Sequence, residues 1–265
     1  MVPKVSFITS VKDRTRELTE MLSSLIKQDI QDWEAIIVDD HSQEPIKETV
    51  EKFQDARIHY YELSGDKTGI SNGRNLAIEK ARSNIMVIAD GDDINEPIRA
   101  RVTHEEMTKN NYDVFYGGIR DFIPGKKEKV RPLQPFNANL LPMFNFLTNT
   151  SCSFRRDKFI EVGKFDPDFI VCEDFDLYLR FLNAKSNFGY TQEILVNYRN
   201  SDASIIGTKY KLLHSYFMKA RIKNKIPPFD IENVRKYAIP YFREKLNKDK
   251  RWRDLYKDDR FIQSG

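Results

Sequence analysis

From residue 5 to about residue 200, short apolar and β-branched runs alternate with stretches whose apolar positions return every three or four residues. That alternation is the pattern of βαβ units feeding a sheet. Residues 5–9 read as a first strand. Leu18, Met21, Leu22, Leu25 and Ile26 then fall on one helical face, and Asp13 or Thr15 can cap that helix. Residues 35–38 form an unbroken apolar run, as a strand covered on both faces requires, and the run stops at Asp39 and Asp40. Ile46, Val50 and Phe53 mark a short helix, and residues 58–63 a third strand. Gly65, Gly69 and Gly73 punctuate a loop leading into a helix through Leu76, Ala77 and Ala81. Residues 85–89 are a fourth buried strand, which ends in Asp90-Gly91-Asp92-Asp93.

Pro97 suits the first turn of the next helix, where its missing N–H is no loss. Residues 114–122 return to strand character. Residues 124–148 carry Pro124, Gly125, Pro132, Pro135 and Pro142, an irregular stretch whose length points to a functional segment. Strand signals resume at 151–154 and 194–198, with helices over 158–162 and from near Glu173. Residues 209–247 read as two amphipathic helices broken at Pro227-Pro228. The expectation is an α/β fold with one Rossmann-like, mostly parallel sheet flanked by helices, spanning 1–208, and a helical C-terminal extension over 209–265.

Composition changes this picture only at the C-terminal end. With 40% hydrophobic, 12% aromatic and 31% charged residues, the 265-residue chain can bury a full core and is not a disordered one. The net charge of +3 is unevenly spread: residues 209–265 hold 16 of the 43 Lys and Arg but only 7 of the 40 Asp and Glu. The extension is therefore basic and the rest of the chain net acidic. A basic end of this kind suits peripheral contact with an anionic membrane or an acidic partner protein, a solvated helical surface being the bland alternative. Its confinement to one end, with no binding motif, argues against nucleic acid. The two cysteines, Cys152 and Cys172, have no metal-ligand spacing. No apolar run reaches the length of a signal core or a membrane span, so a cytoplasmic protein is expected.

The candidate chemistry lies at the ends of the strands. In an open parallel sheet ligands bind beyond the carboxyl ends of the strands, and two apolar strands here each deliver clustered acids to that edge. Close carboxylates repel unless a cation or a donor compensates. Asp90-Gly91-Asp92-Asp93 offers the hard oxygens that Mg²⁺ or Mn²⁺ prefers, with phosphate oxygens to complete the shell. A solvated acidic turn is the plain reading of such a string taken alone.

Several motifs in order resemble the family-2 glycosyltransferases and their GT-A fold. Residues 5–10 are similar to the family's opening strand, Ile36-Ile37-Val38-Asp39-Asp40-His41-Ser42 to its VDDgS segment, and Gly69 through Arg74-Asn75 to its G…ARN segment. Ile88-Ala89-Asp90-Gly91-Asp92-Asp93 resembles the DxDD motif and Cys172-Glu173-Asp174 the ED motif. The resemblance implies an inverting, metal-dependent transfer of a sugar from a nucleoside diphosphate, UDP being favoured, to a carbohydrate or glycolipid acceptor in polysaccharide or glycoconjugate synthesis. It implies nucleotide contacts at Thr9, Val11, Asp39, Asp40, Gly69, Arg74, Asn75 and Asp90. A Mn²⁺ or Mg²⁺ ion would sit on Asp92 first and Asp93 second. Asp174 would be the general base with Glu173 supporting it, since inversion requires a carboxylate to take the acceptor's proton. Simpler roles stand beside these: a salt bridge for Arg74, a capping role for Asp39, and a helix-dipole role for the Glu173-Asp174 pair.

Three departures from the pattern bear on function. Val11-Lys12 stands where the family has an aromatic and Asn, no Q-x-x-R-W follows Asp174, and Asn200-Ser201-Asp202 follows Tyr198-Arg199 where the family often has a His. The second of these argues against a processive polymer synthase. A sugar-phosphate nucleotidyltransferase is the nearest alternative enzyme, but it would need a glycine-rich loop that residues 9–14 lack. A non-catalytic nucleotide-sugar-binding module is the alternative of a different class.

Overall fold

The computed structural model describes residues 2–123, 128–131, 134–200, 210–227 and 236. Among them the elements run β1 (Val5–Val11), α1 (Thr15–Ile26), β2 (Trp33–Asp39), α2 (Ile46–Glu51), β3 (Ile58–Glu62), α3 (Ile70–Lys80) and β4 (Ile85–Ile88). They continue with β5 (Ile94–Asn95), α4 (Arg99–Asn110), β6 (Val114–Phe122), β7 (Lys129–Val130), a 3-10 turn (Asn149–Ser151) and β8 (Cys152–Arg155). The last are α5 (Arg156–Glu161), α6 (Glu173–Asn183), β9 (Phe188–Arg199) and α7 (Tyr210–Lys223).

One sheet holds the described strands in the order β3-β2-β1-β4-β8-β6-β9-β5, with β7 beside β6. The first four strands are parallel throughout. Beyond β4 the sheet is mixed: β8 runs antiparallel to both β4 and β6, β9 is parallel to β6, and β5 is antiparallel to β9. The largely parallel sheet expected from the sequence thus describes its first half. A parallel neighbour needs a crossover, usually a helix, and β8 follows β6 through a connection with no described α-helix, so it runs the opposite way.

Period-two alternation along the strands sorts their side chains onto two faces. Val5, Phe7, Ala35 and Ile37 pack with Leu18, Met21 and Leu22 of α1 and with Ala100 and Met107 of α4. Ile8, Ile36, Val38, Met86 and Ile88 pack on the other face with Ala77 of α3, Phe159 of α5 and Phe175 and Leu177 of α6. The chain leaves β1 for β2 on one side and reaches β4 on the other. The β1/β4 junction is therefore the switch point, and the crevice beyond its carboxyl ends is where a ligand fits.

Two local expectations are corrected. Neither Asp13 nor Thr15 caps α1 through its side chain: the residue before the helix is Arg14, at φ 67 and without a side-chain cap. Asp13 instead accepts from the backbone of Gln43 and Glu44, and Thr15 donates its N–H and hydroxyl to Glu44. Pro97 stands ahead of α4, which begins at Arg99. The second of the two C-terminal helices read from the sequence lies outside the described residues. The first, α7, packs against α6, with Phe217 stacked on Phe175 at 4.4 Å and Ala220 buried. Among the described residues no helix is long and apolar enough to cross a membrane.

Candidate active site

The two acidic motifs meet through one arginine. Arg74 lies on α3, whose start Gly69 enters at φ 94, a backbone state open to glycine and strained for other residues. At Gly73 an added Cβ would come within 2.1 Å of Ser10 Oγ, so α3 lies directly against the end of β1. That close approach carries the Arg74 guanidinium, 2% exposed, into the crevice. There it donates to Asp90 and to Glu173, each at 2.7 Å. The Asn149 amide lies against the same guanidinium, and turned with its oxygen inward it accepts from both terminal nitrogens at 3.0 Å while its nitrogen donates to the Tyr178 hydroxyl. Burial opposes the arginine's charge, and Asp90 and Glu173 more than compensate, so the group stays ionised.

Asp174, next to Glu173 in the first turn of α6, accepts from its neighbour's backbone, Phe175 N–H, at 2.7 Å and from the Asn145 side chain at 3.1 Å. Burial and the adjacent Glu173 carboxylate push its carboxyl up to about 7. A base with that value is poised near neutral pH. On the other side of the crevice Asp92 keeps 29% of its side chain accessible and pairs with Arg14. Burial and the nearby Asp90 raise its pKa, and Arg14 opposes that rise.

The remaining expected residues have structural partners. Asp93 is 1% exposed, takes the Arg199 N–H on Oδ1 at 2.8 Å, and is pushed up to about 8 by burial and then by Asp90. Its Oδ1 is turned to the β9 junction, while Oδ2 is buried without a hydrogen bond. Thr9 is fully buried and donates its hydroxyl to Ala89 O at 2.8 Å, tying β1 to β4 instead of facing a base. Asn75 commits both ends of its amide to the backbone of Phe165, at 2.8 and 3.1 Å, so it holds that loop and is not turned toward a donor. Asp39 accepts from Ser42 N–H and Oγ and from the Tyr60 hydroxyl, which closes the turn after β2 and caps no helix. Asp40 accepts from Thr68 and from Gly69 N–H, fixing the entry into α3, and Val11 is 5% exposed beside them.

Four participants were not read from the sequence. Arg14 and Asn145 lie in loops, and Asn149 opens the 3-10 turn, all without a motif. Arg99 is buried on α4, donates to Ile88 O at 2.5 Å and Thr150 O at 2.6 Å, and sets a positive charge beneath Asp90 and Asp93. For Asn145 the signal was its segment: the irregular stretch over 124–148 supplies the side chain that touches Asp174. Arg199, noted only as part of a family-like Tyr-Arg pair, holds the Asp92 carbonyl at 2.7 Å.

Comparison with known proteins bears on the family and the fold. The family described as Glycosyl transferase family 2 matches residues 6–180. The O-antigen biosynthesis glycosyltransferase WbnJ of Escherichia coli is 26% identical over 83% of this chain and 90% of its own length. The E. coli UDP-Glc:alpha-D-GlcNAc-diphosphoundecaprenol beta-1,3-glucosyltransferase WfgD is 25% identical over 79% of this chain and 82% of its own. The fold is similar to that of Staphylococcus aureus TarS 1-349 in complex with UDP-GlcNAc, with a TM-score of 0.71 at 15% identity over 91% of this chain and 73% of that one.

Proposed function

Since the chain belongs to glycosyl transferase family 2, we propose that it passes a sugar from a UDP-sugar to a hydroxyl of a carbohydrate or glycolipid acceptor, inverting the anomeric carbon. It is a glycosyltransferase with relatives in O-antigen and polysaccharide synthesis. The observation that carries the finer reading is the buried Arg74 bridge between Asp90 and Glu173, which holds the strand-end acids and the α6 acids around one crevice. The choice of UDP draws on WfgD, named for UDP-Glc, and on the TarS complex with UDP-GlcNAc. The lipid-linked acceptor in WfgD's name supports a glycolipid here.

A divalent cation, Mn²⁺ or Mg²⁺, fits the strand-end side. Asp92 offers a half-buried carboxylate whose pKa is raised by burial and by Asp90, and a cation would relieve that repulsion. Among the described residues no three acidic, histidine or cysteine groups gather around one point, so donor phosphates would supply much of the shell. Such an ion, when bound, neutralises charge on the departing diphosphate.

The chain's own residues do the rest. Asp92 holds the cation side of the donor, Asp90 lines it while tied to Arg74, and the Asp39–Asp40 loop edges the nucleotide. Asp174 faces the acceptor and takes its hydroxyl proton as the new glycosidic bond forms and the bond to diphosphate breaks. Glu173 stays paired with Arg74 and keeps Asp174 in place.

A melting-temperature screen of UDP-, GDP- and dTDP-sugars with and without Mn²⁺ tests the donor reading, because a ligand that binds the native state raises the melting temperature. UDP-sugars with Mn²⁺ should give the largest rise, and a product glycoside of inverted configuration should appear by NMR. No rise with any nucleotide, or a product of retained configuration, would overturn it.

A further inference from the structure

The turn between β1 and α1 is held in an unusual backbone shape. Asp13 and Arg14 both lie in the left-handed region, at φ 59 and φ 67, a state that Asp enters readily and Arg rarely. Neighbouring contacts maintain it: Asp13 N–H donates to Ser42 Oγ at 2.7 Å, Asp13 Oδ1 accepts from Gln43 and Glu44, and Thr15 is held by Glu44. Strain kept in place by its surroundings is common where a side chain has to be aimed. Here it sends Arg14 from the end of β1 across the switch point to Asp92, beyond β4. Arg199 approaches the same residue from the far side through the Asp92 carbonyl, and so leaves the carboxylate to Arg14.

Charge and access make this pair different from the Arg74 bridge. Arg74 is shut in on both its carboxylates, whereas the Arg14 side chain is 57% exposed to solvent. The Arg14–Asp92 pair joins the end of β1 to the turn beyond β4, at the switch point, where a donor's phosphates would lie. We propose that Arg14 and a divalent cation exchange on the Asp92 carboxylate, the displaced guanidinium then pairing with the donor's diphosphate. Arg14 is thus a tethered cation, and metal and donor bind together because each takes one partner of the Arg14–Asp92 pair. The inference rests on the metal reading of Asp92 given above. Guanidinium groups match phosphate oxygens through paired N–H donors, which suits Arg14 to both partners.

The test titrates the full chain with MnCl₂ alone, following free Mn²⁺ by electron paramagnetic resonance, in the parent, Arg14→Asn, Arg14→Lys and Asp92→Asn. Asn accepts the left-handed backbone, so folding is preserved, and Lys restores the charge. Arg14→Asn should bind Mn²⁺ about two- to fivefold tighter than the parent, the range of an exposed ion pair. Arg14→Lys should return toward the parent, and Asp92→Asn should bind more weakly. At saturating Mn²⁺, Arg14→Asn should bind UDP or GDP, whichever the parent takes, at least threefold more weakly on this scheme. Mn²⁺ affinity unchanged in Arg14→Asn but reduced in Asp92→Asn would overturn the exchange and leave the metal reading standing. Unchanged Mn²⁺ affinity in Asp92→Asn would overturn both.

Discussion

Asp174 shows how much one position depends on its surroundings. A carboxyl next to Glu173 and largely surrounded by protein loses solvation in its charged form, and so rises to about 7 from an ordinary value of 3.8. The sign for stability follows: the protonated form contributes stability below the unfolded value, and that stability is lost as pH rises through about 7. Asp174→Asn should therefore abolish transfer yet stabilise the fold at pH 8 by roughly 1–3 kcal/mol, with no gain at pH 3. Melting curves at the two pH values check it, and equal shifts at both would remove burial as the cause. Asn145→Ala should raise the acidic limb of the kcat–pH profile by about one unit, because the amide donates to the ionised carboxylate. The residue types at 90, 92, 173 and 174 were legible as acids in motifs. Thr9 and Asn75 were not legible as scaffold residues, since only the fold reveals that Ala89 and the Phe165 backbone take their polar atoms.

At the scale of elements, the joint between α6 and α7 ties the C-terminal part to the site. Asp176, fully buried one turn below Glu173, accepts from Arg180 at 3.0 and 2.8 Å, from Lys223 at 2.9 Å and from Asn224 at 2.9 Å. Removing one member of a buried charged cluster leaves the others unpaired, so Asp176→Ala should destabilise the protein by about 3 kcal/mol. Lys223→Ala, at a half-exposed partner, should cost about 1 kcal/mol. Urea unfolding measures both, and equal losses would show that burial of Asp176 does not govern the joint. Strand and helix positions followed from periodicity, because alternate positions and every third or fourth position must face a core. The two-residue strands β5 and β7 carry too few positions to show a period, and so escaped a sequence reading.

For the whole molecule, the arrangement of charge separates an acidic crevice from a basic end. The residues over 209–265 hold 16 of the chain's 43 Lys and Arg, which suits them to an anionic lipid surface. The full chain should sediment with phosphatidylglycerol vesicles at low salt and release at high salt, while a chain ending at residue 227, which keeps six of those 16 Lys and Arg, should bind more weakly. Equal binding to neutral vesicles, or undiminished binding by the shorter chain, would assign the basic residues to the protein's own surface.

The apolar runs, the acids that end them and their order along the chain determined the α/β class and the family's motifs, because burial and strand geometry act over a few neighbouring residues. Which acids share a crevice was decided by the tertiary structure alone. Arg74 and Glu173 lie 99 positions apart, and Arg14 and Asp92 lie 78 apart. Only the strand order, which sets β1 beside β4 and brings α3 and α6 onto one face, makes such pairs neighbours. Charge interactions depend on distance in space, so ionised, buried and exchangeable groups are told apart by the fold.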